Sequence, residues 1–102
     1  MKRQLLQIEI NQHGYLHLSA DVARQFFPED SLVPLLKEKE LRLLPLHRAQ
    51  GGGLLLKQRN TAGDRAVLVR EVLGDIIPTG TRRAYWDGTQ GALRIPLEQK
   101  PS

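Results

Sequence analysis

The sequence predicts a mainly β fold with one or two short helices, assembled from two similar ββαββ-type units in one chain. Three observations carry this. Apolar residues recur with a period of two, as where Leu6, Ile8 and Ile10 alternate with Gln7 and Glu9, which places one face of a strand in a core and the other in water. Turn-forming Gly, Pro, Asn and Asp punctuate the apolar runs at short intervals. The second half also repeats the first. Asn11 and Gly14 correspond to Asn60 and Gly63, Leu16-His17-Leu18 to Val67-Leu68-Val69, and Pro28-Glu29-Asp30-Ser31 to Pro78-Thr79-Gly80-Thr81. Each unit closes alike, Leu41-Arg42-Leu43-Leu44-Pro45-Leu46 matching Leu93-Arg94-Ile95-Pro96-Leu97. The offset drifts from 49 (Asn11 to Asn60) to 52 (Leu41 to Leu93), and the drift falls in turns, where insertions are tolerated. A chain of 102 residues that is 40% hydrophobic suffices for one domain burying roughly 60 to 70% of its unfolded surface, whereas two separate halves of about fifty residues are each marginal. The units are therefore expected to complete one another's core.

Each element has a local reason. Residues 4–10 form a half-buried strand, Asn11-Gln12-His13-Gly14 a turn, and Tyr15 to Leu18 the returning strand. Ser19 is a helix N-cap, Asp21 lies in the first turn where the helix dipole favours a carboxylate, and Ala20 to Phe27 makes two helical turns that Pro28 stops. Val22, Phe26 and Phe27 are expected inside, Arg24 and Gln25 outside. Leu32 to Lys37 and Leu41 to Leu46 form a hairpin around Glu38-Lys39-Glu40, with Pro34 and Pro45 confined to edges or unpaired positions because they lack an amide donor. Unit one thus spans 4–46, a Gly-rich linker 47–53, and unit two 54–97, before a short polar tail over 98–102. In unit two, Leu54 to Arg59 is a strand, Asn60 to Asp64 a turn, and Ala66 to Val69 the return, with Val67-Leu68-Val69 apolar on both faces and expected to be covered on both. Arg70 to Ile77 stands where unit one has its helix, but Gly74 costs up to ~1 kcal/mol there and shortens it to a turn. Arg82 to Trp86 and Ala92 to Leu97 form the last hairpin around Asp87-Gly88-Thr89-Gln90-Gly91, where Asp-Gly is a strong turn signal.

Composition narrows the function classes. There is no cysteine, hence no disulfide, thiolate ligand or cysteine nucleophile, which suits a reducing compartment. The start has no sustained apolar run, since Gln7 and Glu9 interrupt it, and no stretch approaches the roughly 20 apolar residues that span a bilayer. A soluble, cytoplasmic protein without membrane contact is expected. The net charge of +4 and pI near 9.9 are unequally divided: residues 1–50 hold seven Lys/Arg and six Asp/Glu, residues 51–102 eight and five. A basic balance attracts polyanions such as nucleic acid; a solvated basic surface is the plainer alternative. His13 and His17 are four apart but lie across a turn and a strand, with no evident third ligand. The three glycines at 51–53 lack the Gly-Lys-Ser/Thr ending of a phosphate-binding loop. No nucleophile elbow, His-Glu-x-x-His or paired carboxylates are visible. Neither an enzyme, a metal site nor a cofactor is predicted.

Residues 7–46 resemble the swapped-hairpin AbrB fold of bacterial transition-state regulators and MazE-type antitoxins. The stations that carry the resemblance are Ile8 to Ile10, Gly14, Leu16 to Leu18, Ala20 to Phe27, Pro28-Glu29-Asp30, Leu32, and Leu41, Leu43 and Pro45. Two positions depart from the pattern: Glu29 replaces the usual glycine, and Gln12-His13 stands where DNA-binding members favour Lys or Arg. Two such units in tandem are similar to MraZ-type proteins, which implies a pseudo-dimeric barrel within one chain. The resemblance implies a non-enzymatic transcriptional regulator that binds double-stranded DNA, with Lys2, Arg3, His13 and Arg24 in unit one and Lys57, Arg59, Arg65 and Arg70 in unit two as the contacting residues. It also leaves room for homo-oligomers. An antitoxin usually adds a long acidic tail, absent from Glu98-Gln99-Lys100-Pro101-Ser102. The alternative function is an accessory or assembly protein that binds a partner polypeptide. Its candidates are Arg82, Arg83, Tyr85 and Trp86, the densest basic-aromatic cluster. In a strand Arg83 and Tyr85 share one face and Arg82, Ala84 and Trp86 the other, and a lone tryptophan in a small domain more often anchors the core than a binding site.

Overall fold

A computed structural model describes residues 5–47 and 53–97. The candidates Lys2 and Arg3, most of the Gly-rich linker and the polar tail lie outside these residues. Nine strands and two helices follow in the order β1 (Leu5–Ile10), β2 (Tyr15–Leu18), α1 (Ala20–Phe26), β3 (Ser31–Lys37), β4 (Glu40–Pro45), β5 (Leu54–Leu55), β6 (Lys57–Gln58), β7 (Arg65–Leu68), α2 (Arg70–Leu73), β8 (Gly80–Asp87) and β9 (Ala92–Pro96). The chain is mainly β with two short helices, as expected.

The same turn chemistry closes the first hairpin of each half. Asn11 Oδ1 accepts from the amides of His13 and Tyr15 at 2.9 and 3.0 Å, and the Gly14 amide donates to the Asn11 carbonyl at 3.0 Å. Asn60 Oδ1 accepts from Asp64 at 3.2 Å, and Gly63 donates to the Asn60 carbonyl at 3.2 Å. Both glycines are left-handed, φ +86° and +96°, a conformation that a side chain disfavours. α1 starts where Ser19 Oγ accepts from the Val22 amide at 3.2 Å. α2 has no side-chain cap and stops at Gly74, after four residues instead of seven. The single turn expected from Gly74 is what forms.

All strand pairs are antiparallel, in the order β5-β3-β4-β9-β8-β1-β2-β7-β6. Only Leu56 separates β5 from β6, so the two ends of the order meet and the sheet is nearly closed, like a barrel. Going round it, hairpins of the first half (β1-β2, β3-β4) alternate with those of the second (β6-β7, β8-β9). Two pairings join the halves through corresponding positions. β2 meets β7 with Leu16 opposite Val67, and β4 meets β9 with Arg42 opposite Arg94. Around the second, Leu41 faces Ile95 and Leu43 faces Leu93, the reciprocal pattern of strands related by a two-fold rotation. β3 pairs with β5 only at Ser31 and Leu32, and β4 with β9 only as far as Leu43, so Pro34 and Pro45 each have a side that needs no donor.

The inner face is filled by Ile10, Leu16, Leu18, Phe27, Leu32, Leu41, Leu43, Val67, Val69, Leu93 and Ile95, each burial contributing about 1.5–3 kcal/mol before entropy is subtracted. No polar or charged residue is buried among the described residues. Two expectations need correction. Leu68 is 45% exposed between the buried Val67 and Val69, because the outer face of β7 has no covering layer. The strand expected over residues 54–59 breaks at Leu56, whose side chain turns into the core while its amide donates to the Asp30 carbonyl at 2.8 Å.

Candidate functional site

The hairpin turn of each half rests on the helix start of the other. The Val69 amide, at the N-terminus of α2, donates to the Gly14 carbonyl at 2.9 Å, and a Cβ on Gly14 would lie 2.6 Å from Arg70 Cβ. In the reverse direction, Asp64 Oδ1 accepts from the Ala20 amide at the start of α1 at 2.9 Å. These two assemblies flank the β2-β7 pair, where Tyr15 faces Leu68 at one end and Leu18 faces Arg65 at the other. Sequence distance hides this arrangement; the matching turns hint at it.

The described DNA-binding candidates divide accordingly. His13 and Arg70 are exposed at the Gly14 end, and Lys57 and Arg59 are exposed on the β6-β7 hairpin at the Asp64 end. Arg65 lies there too but is a strut: Nε donates to Asp30 Oδ1 at 3.0 Å and Nη1 to the Gly63 carbonyl. Arg24 pairs with Asp21 on the exposed side of α1, a solvated pair of little energetic weight. Arg59 also lines a cleft of mixed polarity with Gln7, Glu9, His17, Ser19, Asp64 and Thr81, together with Ile8 and Leu18. In it, His17 Nδ1 is 3.4 Å from Glu9 Oε1. A hydrogen bond from the Asn60 side chain, then one from the Ala20 amide, holds the Asp64 carboxyl below its ordinary range. His13 and His17 are not brought together, and among the described residues no group of three His, Cys, Asp or Glu is placed to hold a metal.

The Arg82 to Trp86 cluster splits between the two faces of β8, as its alternation predicts. Arg82 is spent on the fold, Nε donating to the Pro78 carbonyl at 3.2 Å and Nη1 to the Leu97 carbonyl at 3.0 Å. Trp86 stacks on Phe26 with centroids 4.6 Å apart and planes at 22°, and packs against the core. Arg83 is exposed, and Tyr85 lies under the Arg94 guanidinium at 5.4 Å.

Sequence reasoning missed the charge network around Arg94. Glu40 accepts from Arg42 Nε and Arg94 Nε, both at 2.7 Å, and from Arg94 Nη2 at 3.2 Å, while Arg94 Nη1 donates to Asp87 at 3.0 Å. Burial alone would raise the Glu40 carboxyl, but hydrogen bonds and charge from Arg94 and Arg42 outweigh it and hold the group below its usual range. Arg94 is raised in turn by its bonds to Glu40 and Asp87. Two apolar grooves were missed as well. One is lined by Pro34, Leu54, Leu68, Val69, Glu71 and Val72, the other by Leu36, Lys39, Leu73, Ile76, Pro78 and Leu97. No helix among the described residues is long and apolar enough to cross a membrane. Comparison of the chain with protein-family models, with curated proteins and with solved structures finds no match.

Proposed function

We propose that the chain is a tandem duplication folded as a swapped-hairpin barrel of the AbrB and MraZ kind, acting as a non-enzymatic DNA-binding regulator. The observation that carries this reading is the pair of turn-and-helix assemblies flanking the β2-β7 pair, with exposed His13 and Arg70 at one end and exposed Lys57 and Arg59 at the other. Alternation of the hairpins and the facing of Leu16 with Val67 and Arg42 with Arg94 support the duplication. A surface with local two-fold character and cations on both sides suits a duplex, whose backbones are related by two-fold axes. Phosphate neutralisation is the physical role of Lys57, Arg59 and Arg70, and the net charge of +4 adds long-range attraction.

Fluorescence anisotropy of a generic labelled duplex over a salt series tests the proposal. Binding is expected to weaken steeply with salt, and Lys57→Ala, Arg59→Ala and Arg70→Ala together should flatten the log-log slope by roughly 2–3, near 0.9 per lost phosphate contact. Absence of binding at low ionic strength, or an unchanged slope, rejects it. The second reading, an accessory protein holding a partner polypeptide, is favoured by the apolar grooves beside α2, features that phosphate contact does not require.

A further inference from the structure

The two helix-covered corners of the barrel are unequally filled. Aligning Pro28 with Pro78 sets Phe26 against Ile76 and Ala23 against Leu73. The strand register sets Trp86 against Leu36, because Trp86 faces Leu93, Leu36 faces Leu41, and Leu41 and Leu93 correspond. At one corner Phe26 and Trp86 stack at 4.6 Å, with Phe26 only 9% exposed. At the other, α2 ends at Gly74, Ile76 is 86% exposed and Leu36 44% exposed, and two aromatic rings are replaced by two aliphatic chains. What remains is an open pocket of about 420 Å³ lined by Leu36, Lys39, Leu73, Ile76, Pro78 and Leu97. That volume lies within the ~300–1,000 Å³ of ligand pockets.

We infer that this pocket is a docking site for an aromatic side chain, tryptophan or phenylalanine, of a partner polypeptide. The counterpart corner shows the occupant's shape, since it holds an indole on a strand against a helix end. Its walls are held in place: the Leu97 amide donates to the Lys39 carbonyl at 3.0 Å, and the Leu97 carbonyl accepts from Arg82. Five of the six lining residues are apolar. A free small molecule would need several placed polar groups to orient it, whereas a side chain is oriented by its own backbone, and aromatic anchors in such pockets dominate protein recognition. The inference rests on the duplicated-barrel and partner-polypeptide readings, not on the duplex-DNA one, and survives the failure of the latter.

The test is a ¹H–¹⁵N NMR titration of the full chain with acetyl-glycyl-tryptophyl-glycinamide. Saturable shifts are expected at Leu36, Leu73, Ile76 and Leu97, with Kd on the order of 1 mM, and none with the alanyl analogue. Leu36→Trp rebuilds the aromatic plug and should weaken binding at least tenfold; Ile76→Asp, at a residue exposed enough to leave folding intact, should do the same. No shifts, shifts centred elsewhere, or undiminished binding by both variants overturn the inference. Free indole binding as tightly as the peptide assigns the pocket to a small aromatic compound instead. Movement of the same amides on simple dilution of the protein assigns it to a second copy. Either result also overturns the partner proposal.

Discussion

Gly14→Ala should be the most damaging small substitution in the turns, and its cost has two separable parts. The residue is buried with φ +86°, and an added Cβ would meet Arg70 Cβ at 2.6 Å and Arg70 Cα at 3.1 Å. Holding alanine in a left-handed conformation costs roughly 1–2 kcal/mol. Pushing α2 away costs about 1–3 kcal/mol more, as for an overpacked core. A total of about 3 kcal/mol corresponds to a fall in Tm of roughly 12 to 24 °C for a chain of this size. Gly91→Ala is the control, because φ is +64° but nothing lies within 4 Å of the added Cβ, so only the backbone part applies. Part of the clash should be relieved in Gly14→Ala/Arg70→Gly, which removes the opposing Cβ and Cγ but leaves Arg70 Cα at 3.1 Å. Thermal and urea unfolding of these three variants and of Arg70→Gly alone measure both parts. If Gly14→Ala costs no more than Gly91→Ala, or if Arg70→Gly recovers nothing, the packing of the first turn on the second helix is wrong.

Three further outcomes follow from the charge network and the stacked rings. The Glu40 carboxyl is held below its ordinary 4.5 in the fold, so its contribution is present above that value and lost as the pH falls through the folded value. Glu40→Gln should therefore cost about 1–2 kcal/mol at neutral pH and show a shallower loss of Tm on acidification below 4.5; parallel curves would refute the coupling. Asp87, lowered chiefly by the hydrogen bond from Arg94, should leave part of the acid limb in place. Trp86→Ala should lose about 3 kcal/mol while Arg83→Ala, on the exposed face, stays within ~0.5 kcal/mol, both read by urea unfolding; equal effects would mean that the two faces of β8 are misassigned.

What was legible in the sequence was local. Alternation along β1, the Asn-Gly turn chemistry at Asn11 and Asn60, Ser19 as a cap and the shortening of α2 by Gly74 each depend on a few neighbouring residues. The failures are long-range. Glu40 and Arg94 are 54 positions apart, and nothing in either neighbourhood announces the pair. Arg82 looked like part of a binding cluster but serves two carbonyls, one of them 15 residues away. Leu68 read as buried because it is apolar, yet outward positions of a strand stay wet wherever no second layer covers them. The two hairpin loops also differ by one residue, 59–64 between Gln58 and Arg65 against 11–15 between Ile10 and Leu16.

On the duplicated-barrel reading, joining two units in one chain relaxes a restriction that a homodimer would face. Where two identical strands cross a two-fold axis, each residue on the axis meets its own copy, and a charged one meets its own charge. Arg42 and Arg94 occupy that situation, and directly opposed like charges destabilise a sheet. In this chain one carboxylate, Glu40, accepts from both arginines. Its corresponding position, 52 residues on, is the buried Ala92. A symmetric pair would carry either two glutamates or none. The same freedom lets one corner close with Phe26 and Trp86 while the other stays open between Leu36 and Ile76. On the same reading the apolar, glycine and proline positions recur because both halves build one barrel, while residues at its corners and axis need not match.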